Sequence, residues 1–398
     1  CFDVFELGNH EFDDGDDGLV QFLDYLNDPD GDGDDANDPC NTPVLGANVK
    51  PAPGTPLNPD PDPSVTDDDY LRPYVILDVE DSNGDTQQLG IIGLDIAGKT
   101  KESSSPFETT ELEDEVVTAK TYVAELQSQG VENIVLVTHY QYGNDLALAE
   151  QVPGIDAIVG GDSHTLLGDA ADFGPFGFEG EGPYPTETVN ADGDKVCIVQ
   201  AWQYSSIVGH LTLNLQDGKT QSCTGTPHLL VGNFTRDGEP IADPELTAIE
   251  TAIAAIPNVT SIEPNPDAVD LLQVFADQVD ELKQQIIAHA TEPLCLNRIP
   301  GDTRSAGLCA TDQVAASGAR TDIHGGFMQQ IVADAFLARA FRADIAIQNA
   351  GGVRVPLAAG PISMNDAISV LPFSNTLVEL ELTGQQVIDS LEEAAWNA

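Results

Sequence analysis

Basic residues are scarce in this chain of 398 residues, which has 15 Lys and Arg against 67 Asp and Glu and a formal net charge of −52. A surface of this sign repels the phosphate backbone of nucleic acids, so we expect no nucleic-acid partner. It also repels free nucleotides unless arginine or metal ions supply local positive charge. The acidic residues are spread along the chain, which is typical of adaptation to a salty medium that screens their repulsion. Simple solubility is the alternative explanation.

Long apolar runs and closely spaced cysteines are also missing. No stretch approaches the ~20 apolar residues of a membrane span, so none is expected. The six cysteines include no Cys-x-x-Cys pair, which argues against a zinc knuckle or a thioredoxin-type motif. The spacings of Cys197 with Cys223 and of Cys295 with Cys309 suit disulfides in an oxidising compartment.

The beginning and the end of the sequence both fall inside structural patterns. The first residues read as the end of a helix that runs into a buried strand, and the last lie within a helical pattern. No initiator Met and no signal peptide precede them. We therefore expect both ends to be cut, and the missing signal says nothing about export.

Apolar strand-like runs alternate with helical patterns, which predicts an α/β architecture. Two domains are expected, at residues 1–235 and 291–398, joined by a linker at 236–290 that contains one long amphipathic helix over 269–289. A further helix is expected at 111–129. Buried strands are predicted at 2–7, 133–138 and 155–159.

Each of these three predicted strands is followed by residues that can bind metal ions. They are Asn9, His139, and the pair Asp162 and His164. Loops at the carboxyl ends of strands point polar groups into one crevice. Two divalent ions about 3.5–4 Å apart can activate a water and screen phosphate charge there. A single such histidine is as often a helix cap, but three together favour a dinuclear metal site.

His10 and Asp13 form a second candidate pair. A carboxylate three residues after a histidine can orient the imidazole and raise its pKa. A cationic histidine near a scissile oxygen can then protonate the leaving group. Alternatively, Asp13 only begins the acidic turn at 13–17.

The second domain contains a glycine-rich turn with Asn349, Gly351, Gly352 and Arg354 after an apolar strand. Glycine permits close backbone approach, and arginine offers a planar fork to phosphate. Phe373 stands at the edge of a following loop, where it can stack on a base. An ordinary turn and a core phenylalanine are the alternatives.

An acidic insert at 27–38 alternates carboxylates at Asp28, Asp30 and Asp32, as calcium loops do. Its twelfth position is Pro39 instead of the bidentate glutamate of an EF-hand. The insert resembles a thrombospondin type 3 calcium repeat with one residue missing. A solvated loop without calcium is the alternative.

Taken in order, the motifs around Asn9, His139, Asp162, Arg354 and Phe373 resemble the secreted 5′-nucleotidase family. The resemblance implies a four-layer α/β/β/α metallophosphoesterase domain, followed by a nucleotide-binding domain that turns against it about the linker helix. It implies hydrolysis of nucleotide phosphate esters outside the cytoplasm, in the periplasm or extracellular medium, with two divalent ions such as Zn, Mn or Mg.

The resemblance also implies residue roles. Asn9, His139 and Asp162 would serve one metal and His164 the other, and His10 with Asp13 would form the catalytic dyad. Nucleotide binding would fall to Asn349, Arg354 and Phe373.

Three departures from the family pattern stand out. The opening Asp-x-His motif and the bridging aspartate would precede Cys1, so this fragment alone is expected to be inactive. Asp162 stands where the family has histidine, which favours harder metals such as Mn or Mg. A second base-stacking aromatic would lie beyond Ala398. Alternatives are a pyrophosphatase acting on UDP-sugars or NAD, a catalytically dead nucleotide-binding protein, and a calcium-dependent surface module. The oligomeric state stays open.

Overall fold

Contacts between residues divide the chain into unit 1 (Cys1–Glu263) and unit 2 (Pro264–Ala398). The division into 1–235, 236–290 and 291–398 stays a prediction. The structure is a computed structural model, and it describes residues 2–27, 42–62, 70–80, 83–169, 173–176, 178–232, 234–236, 239–296, 326–373 and 375–396.

Unit 1 contains most of the strands. They are β1 (Phe5–Glu6), β2 (Val44–Leu45), β3 (Val49–Pro51), β4 (Tyr74–Glu80), β5 (Thr86–Asp95), β6 (Thr110–Leu112), β7 (Asn133–His139), β8 (Ala157–Gly160), β9 (Thr186–Val189), β10 (Lys195–Gln200), β11 (Ile207–Gln216), β12 (Lys219–Val231), β13 (Thr235–Arg236), β14 (Glu239–Pro240) and β15 (Val259–Ser261). Its helices are α1 (Gly15–Asn27), α2 (Ala97–Ser103), α3 (Glu115–Ser128), α4 (Tyr142–Gln151) and α5 (Glu245–Ile253).

Nine strands form one mixed sheet in the order β11-β12-β10-β8-β7-β5-β4, with β9 added to β10 and β15 to β12. The strands β5, β7, β8 and β10 run parallel. At their carboxyl ends Asp95 pairs with His139, and Gly160 pairs with Gln200. The α/β class predicted from the sequence is confirmed, and four strand ends open on one edge of the sheet.

The buried strands of this sheet follow from their apolar sequence. Along β7 alternate residues such as Ile134 and Leu136 are fully buried and belong to a core that also includes residues of α3 and α4. The residues between them on the other face are half-buried, and largely buried strands are typical of parallel sheets. The predicted strands at 133–138 and 155–159 are confirmed, with the second shortened to β8.

Helix α3 begins later than predicted. The Asp114 side chain accepts a hydrogen bond from the backbone N of Val117 at 2.9 Å, which caps the first turn. The prediction that the helix starts at residue 111 is wrong, because Glu111 lies in β6 and pairs with Lys50 of β3.

A small parallel sheet of β1 and β2 packs directly on the large one. A side chain at Gly93 of β5 would place its Cβ 2.3 Å from the Cβ of Leu45, so only glycine allows this approach. The strand predicted over 2–7 is shorter than expected, because only Phe5 and Glu6 pair with β2.

The predicted disulfide between Cys197 and Cys223 is present and links β10 to β12. Cys295 is also disulfide-bonded, and its predicted partner Cys309 lies outside the described residues. Within the described ranges, no helix combines the length and the apolar character needed to cross a membrane.

Unit 2 has a smaller core formed by Leu296, Met328, Val332, Val353 and Val370. Its elements are α6 (Pro266–Lys283), β16 (Ile286–Ala290), α7 (Phe327–Arg339), β17 (Gly360–Ser363), α8 (Met364–Val370) and α9 (Gly384–Trp396).

The prediction of one helix over 269–289 is wrong at its end. Helix α6 ends at Lys283, because the next residues pair as β16 with β17 in antiparallel register. The apolar periodicity of the sequence continues through Ile286, so the change depends on a pairing partner more than 70 residues away.

Candidate functional site

Three predicted metal ligands meet at the carboxyl edge of the large sheet. Asn9 lies on the 3-10 turn after β1, His139 ends β7, and Asp162 follows β8. The Nε2 atom of His139 lies 3.0 Å from Oδ1 of Asn9 and 3.3 Å from Oδ1 of Asp162. The side chain of Asp162 is only 2% exposed. Two oxygens therefore lie within 3.3 Å of one imidazole nitrogen.

These spacings fit a divalent metal ion. Ligand atoms about 2.1 Å from one ion lie roughly 3.0–3.4 Å from one another in octahedral or tetrahedral geometry. Carboxylate, amide and imidazole ligands suit Zn, Mn or Mg. No cage of three or more His, Cys, Asp or Glu side chains occurs in the part of the chain that the structure describes. The cluster differs from such a cage because its third member is an asparagine.

Local contacts turn the Asn9 amide toward His139. Its Nδ2 donates to Oγ of Ser103 at 3.3 Å and to Oγ of Ser104 at 3.4 Å, which leaves Oδ1 facing His139. The backbone at Gly8 lies close against the ring of His139. A Cβ at Gly8 would be 2.8 Å from the ring atoms Cε1 and Nδ1, so the motif needs glycine at this position.

Asp162 is held by two side chains that the sequence did not indicate. Gln141 Nε2 donates to Oδ2 at 2.8 Å, and the ammonium of Lys99 contacts Oδ1. Burial raises the pKa of Asp162, but the hydrogen bonds from His139 and Lys99 and the charge of Lys99 outweigh burial and hold that pKa well below its usual range. Asp162 is therefore an anion, as a metal ligand must be.

Gln200, the last residue of β10, ties together the turn that carries Asp162. Its Nε2 donates to the carbonyl of Gly161 at 2.9 Å, and its Oε1 accepts from the backbone N of Thr165 and from Oγ of Ser163 at 3.1 Å. The turn needs this support, because Asp162 adopts a left-handed φ of 64°, which costs a non-glycine residue about 1–2 kcal/mol.

His164 lies on the same turn, with a left-handed φ of 53°. Its ring packs edge-on against Tyr204, with centroids 5.5 Å apart. The structure thus brings Asn9, His139 and Asp162 together and places the fourth predicted ligand beside Tyr204.

His10 and Asp13, the two residues of the predicted dyad, are in contact. Nδ1 of His10 lies 2.8 Å from Oδ2 of Asp13, and the other oxygen of Asp13 accepts from Oγ of Ser104 at 3.1 Å. Ser104 also contacts Asn9, so one serine joins the predicted dyad to the predicted metal ligands Asn9, His139 and Asp162, which together form the metal-ligand cluster. The His10 side chain is 43% exposed, which leaves it accessible to a substrate.

Buried carboxyl groups lie under the same sheet edge. Burial raises the pKa of Asp145 to about 7, although Oγ1 of Thr138 donates to it at 2.7 Å. Burial likewise raises the pKa of Asp95 to about 6. Both carboxylate oxygens of Glu6 lack a hydrogen-bond partner among the described residues, and burial raises its pKa well above the usual range. These carboxyl groups stay protonated at pH values at which exposed carboxyl groups are ionised, which reduces the negative charge of this sheet edge.

In unit 2 the structure brings the predicted substrate residues together. The guanidinium of Arg354 lies 5.5 Å from the centre of the Phe373 ring, and its Nη1 donates to the carbonyl of Gly351 at 3.1 Å. Gly352 is buried, and its backbone N donates to the carbonyl of Asn349 at 3.2 Å. Gly352 and Phe373 line a cavity of about 160 Å³. The cluster thus places a planar cation over one face of an aromatic ring.

Asp28, Asp30 and Asp32 of the proposed calcium loop lie outside the described residues.

Sequence reasoning missed Lys99, Gln141 and Gln200. A signal for Gln200 existed, since it ends an apolar run just as His139 does. Lys99 is one of only 15 basic residues, but it follows its strand by four residues and carries no local sign of its contact.

Comparison with known proteins places these sites in context. Residues 306–398 match the family described as 5′-nucleotidase, C-terminal domain. The chain is 32% identical to a probable 5′-nucleotidase of Treponema pallidum (strain Nichols), over 99% of this chain and 61% of that protein. It is 30% identical to NAD 5′-nucleotidase of Haemophilus influenzae, over 99% of this chain and 60% of that protein.

A solved structure of a 5′-nucleotidase precursor is also similar to this chain. The crystal structure of a 5′-nucleotidase precursor from Thermus thermophilus superposes with a TM-score of 0.68 and 30% identity, over 98% of this chain and 62% of that one. The chain therefore spans about three fifths of the length of the relatives it matches.

Proposed function

Because this chain belongs to the 5′-nucleotidase family, we propose that it hydrolyses nucleoside 5′-monophosphates to nucleoside and phosphate. The observation that carries the proposal is the contact of His139 with both Asn9 and Asp162, with the pair of His10 and Asp13 joined to them through Ser104. This combines a metal-ligand set with a proton donor.

Asn9, His139 and Asp162 would hold one divalent ion, and His164 would be a ligand of the second. When bound, such ions activate a water and screen the phosphate charge. The buried, ionised carboxylate of Asp162 supplies a negative charge to attract them. A carboxylate at this position favours Mn or Mg.

The chain's own acid is His10. In the reaction a water oxygen forms a bond to phosphorus and loses a proton to solvent, while the bond from phosphorus to the ribose oxygen breaks. Asp13 holds Nδ1 of His10 at 2.8 Å, so the proton that passes to the leaving oxygen is the one on Nε2. The contact with Asp13 fixes the ring of His10 in one orientation.

Unit 2 would bind the nucleoside part of the substrate. The ring of Phe373 can stack on the base, while Arg354 offers hydrogen bonds to an anionic or polar group. Glycine is needed at 352, because a Cβ there would lie 3.0 Å from Oδ1 of Asn349.

A dinucleotide or a nucleotide sugar is the second candidate substrate. It is favoured by the relative named NAD 5′-nucleotidase, which aligns with 99% of this chain. The corresponding activity would break a pyrophosphate bond in NAD or a UDP-sugar with the same residues.

We place this activity outside the cytoplasm, in the periplasm or the medium. The disulfide between Cys197 and Cys223 supports this location, because such bonds persist in oxidising compartments.

The test is an assay of the chain in its natural full-length context with Mn²⁺ or Zn²⁺ on AMP, UDP-glucose and NAD, at low and high salt. Release of phosphate from AMP that stops with a chelator and returns with Mn²⁺ is expected. Nucleotide binding without any hydrolysis under these conditions would identify a binding protein instead.

A further inference from the structure

The ammonium group of Lys99 ends inside the metal-ligand cluster. It contacts Oδ1 of Asp162, the same oxygen that lies 3.3 Å from Nε2 of His139. Lys99 is the third residue of α2, the helix that follows β5 along the chain. Its side chain is 38% exposed, so the lysine is open to solvent at one end of this contact.

The two oxygens of Asp162 have different partners. Oδ2 accepts from Gln141 at 2.8 Å, whereas Oδ1 faces both Lys99 and His139. A metal ion bound by His139 and Asp162 would use Oδ1, because this is the oxygen on the side of the imidazole nitrogen. Lys99 and the metal ion therefore compete for one oxygen atom.

A lysine beside a divalent ion is repelled by it unless an anion lies between them. The flexible stem of Lys99 allows its ammonium to move away from Oδ1 when a metal ion takes that oxygen. The phosphate group of a substrate is an anion that can contact both the ion and the lysine. The positions of Lys99 and Asp162 thus connect metal binding with phosphate binding.

We propose that Lys99 is a phosphate-binding residue of this site, which neutralises Asp162 without metal and contacts phosphate oxygens when metal is bound. The inference rests on the proposed function, since it assumes that metal and phosphate meet at this cluster. It makes Lys99 oppose metal binding when phosphate is absent and favour it when phosphate is present. By linkage, metal and phosphate then strengthen each other's affinity by the same factor.

The experiment is calorimetric titration of the chain with Mn²⁺, with and without inorganic phosphate, for the wild type, Lys99→Met and Lys99→Arg. A protein-free titration corrects for Mn²⁺ binding to phosphate. In the wild type, phosphate is expected to tighten Mn²⁺ binding at least tenfold. Lys99→Met is expected to bind Mn²⁺ about tenfold more tightly without phosphate and to lose most of the phosphate effect. Lys99→Arg keeps the cation and should retain that effect.

Lys219→Met is the matched control. Lys219 pairs with Asp194 at 2.8 Å on the exposed side of unit 1, so its loss makes the same change in net charge away from the cluster. Both Mn²⁺ affinities are expected to stay at wild-type values. A control that behaves like Lys99→Met would show a general charge effect and overturn the inference.

Unchanged Mn²⁺ affinity and unchanged phosphate coupling in Lys99→Met would also overturn the inference. The absence of Mn²⁺ binding in both the wild type and Lys99→Met would overturn it as well. Hydrolysis of AMP is measured separately in the natural full-length context. Coupling without hydrolysis counts against the proposed function and leaves the role of Lys99 intact. Hydrolysis without coupling supports the proposed function and overturns the role proposed for Lys99.

Discussion

The imidazole of His139 meets the amide oxygen of Asn9 at 3.0 Å, although 130 residues separate them in the chain. The contact arises because the small sheet that begins with β1 packs on the large sheet in which β7 is central. Gly8 permits it, since any larger residue would collide with the ring. The cluster of predicted metal ligands is therefore a product of packing between two sheets, and changes to either sheet edge should be measurable as changes in metal affinity.

Replacement of His10 tests whether it acts as acid or as metal ligand. His10→Asn is expected to lower kcat roughly 10²–10⁴-fold, because the leaving oxygen loses its proton donor. The dissociation constant for Mn²⁺, measured by calorimetry, should stay unchanged. His228→Ala, on β12, is the control and should change neither quantity. Parallel loss of turnover and metal affinity in His10→Asn would instead identify His10 as a ligand.

Gln200 provides a test of the turn that carries two predicted ligands. Gln200→Met keeps the volume but loses the hydrogen bonds to Gly161 and Thr165, so the turn should no longer hold Asp162 in place. Loss of such supporting contacts typically weakens metal binding roughly 10–100-fold. Mn²⁺ calorimetry measures this change, and high Mn²⁺ should restore much of kcat.

Gln151→Met on α4 is the matched control, because Gln151 is exposed and bonds only to the carbonyl of Ala147 at 2.9 Å among its described contacts. A purely structural role for Gln200 would lower the melting temperature of the metal-free protein and leave the Mn²⁺ dissociation constant unchanged.

One rule explains how much of the site was predictable: polar residues that directly follow an apolar strand belong to the site. Applied to β7 and β8, it gave His139 and Asp162 directly, because a polar residue after an apolar run is a local signal. The same rule was not extended to β10, where it would have given Gln200. This rule could not identify Lys99, because its contact with Asp162 spans 63 residues and depends on the positions of α2 and of the turn after β8.

The fold, too, was predictable only where it depends on local sequence patterns. Alternation of apolar runs gave the α/β class and the central strands, which are determined by burial. The end of α6 was missed because Ile286 and its neighbours fit a helical pattern equally well. Only pairing with Gly360–Ser363, far along the chain, makes them a strand.

Arg354 tests the predicted nucleotide site in unit 2. Arg354→Ala is expected to raise KM for AMP roughly tenfold or more, since a hydrogen bond from a charged group contributes about 1.5–3 kcal/mol. The Mn²⁺ dissociation constant should not change, because Arg354 is not among the predicted metal ligands. Arg236→Ala removes an exposed arginine that pairs with Glu245 and serves as the control. A KM that is unchanged for all three nucleotides would remove Arg354 from the substrate site.

Asp145 predicts a pH dependence of stability in the metal-free protein. Burial raises its pKa to about 7 in the folded state from an ordinary value of 3.8. Between these values the folded protein binds a proton that the unfolded chain has lost, so this group's contribution to stability falls as the pH rises from about 4 to about 7. Asp145→Asn has no proton to lose and can still accept from Thr138. Its free energy of unfolding relative to the wild type should therefore increase across this range, by at most about 4 kcal/mol.

Chemical denaturation at pH 4.5, 6 and 8 measures the effect of Asp145→Asn. Asp78→Asn on β4 is the control, because it removes one exposed negative charge from the same acidic protein. Relief of general repulsion would raise the stability of both variants alike. A difference between them that grows with pH would locate the titration at Asp145, under the turn that carries Asp162. A constant difference would mean that Asp145 is ionised throughout this range, and the raised pKa would be wrong.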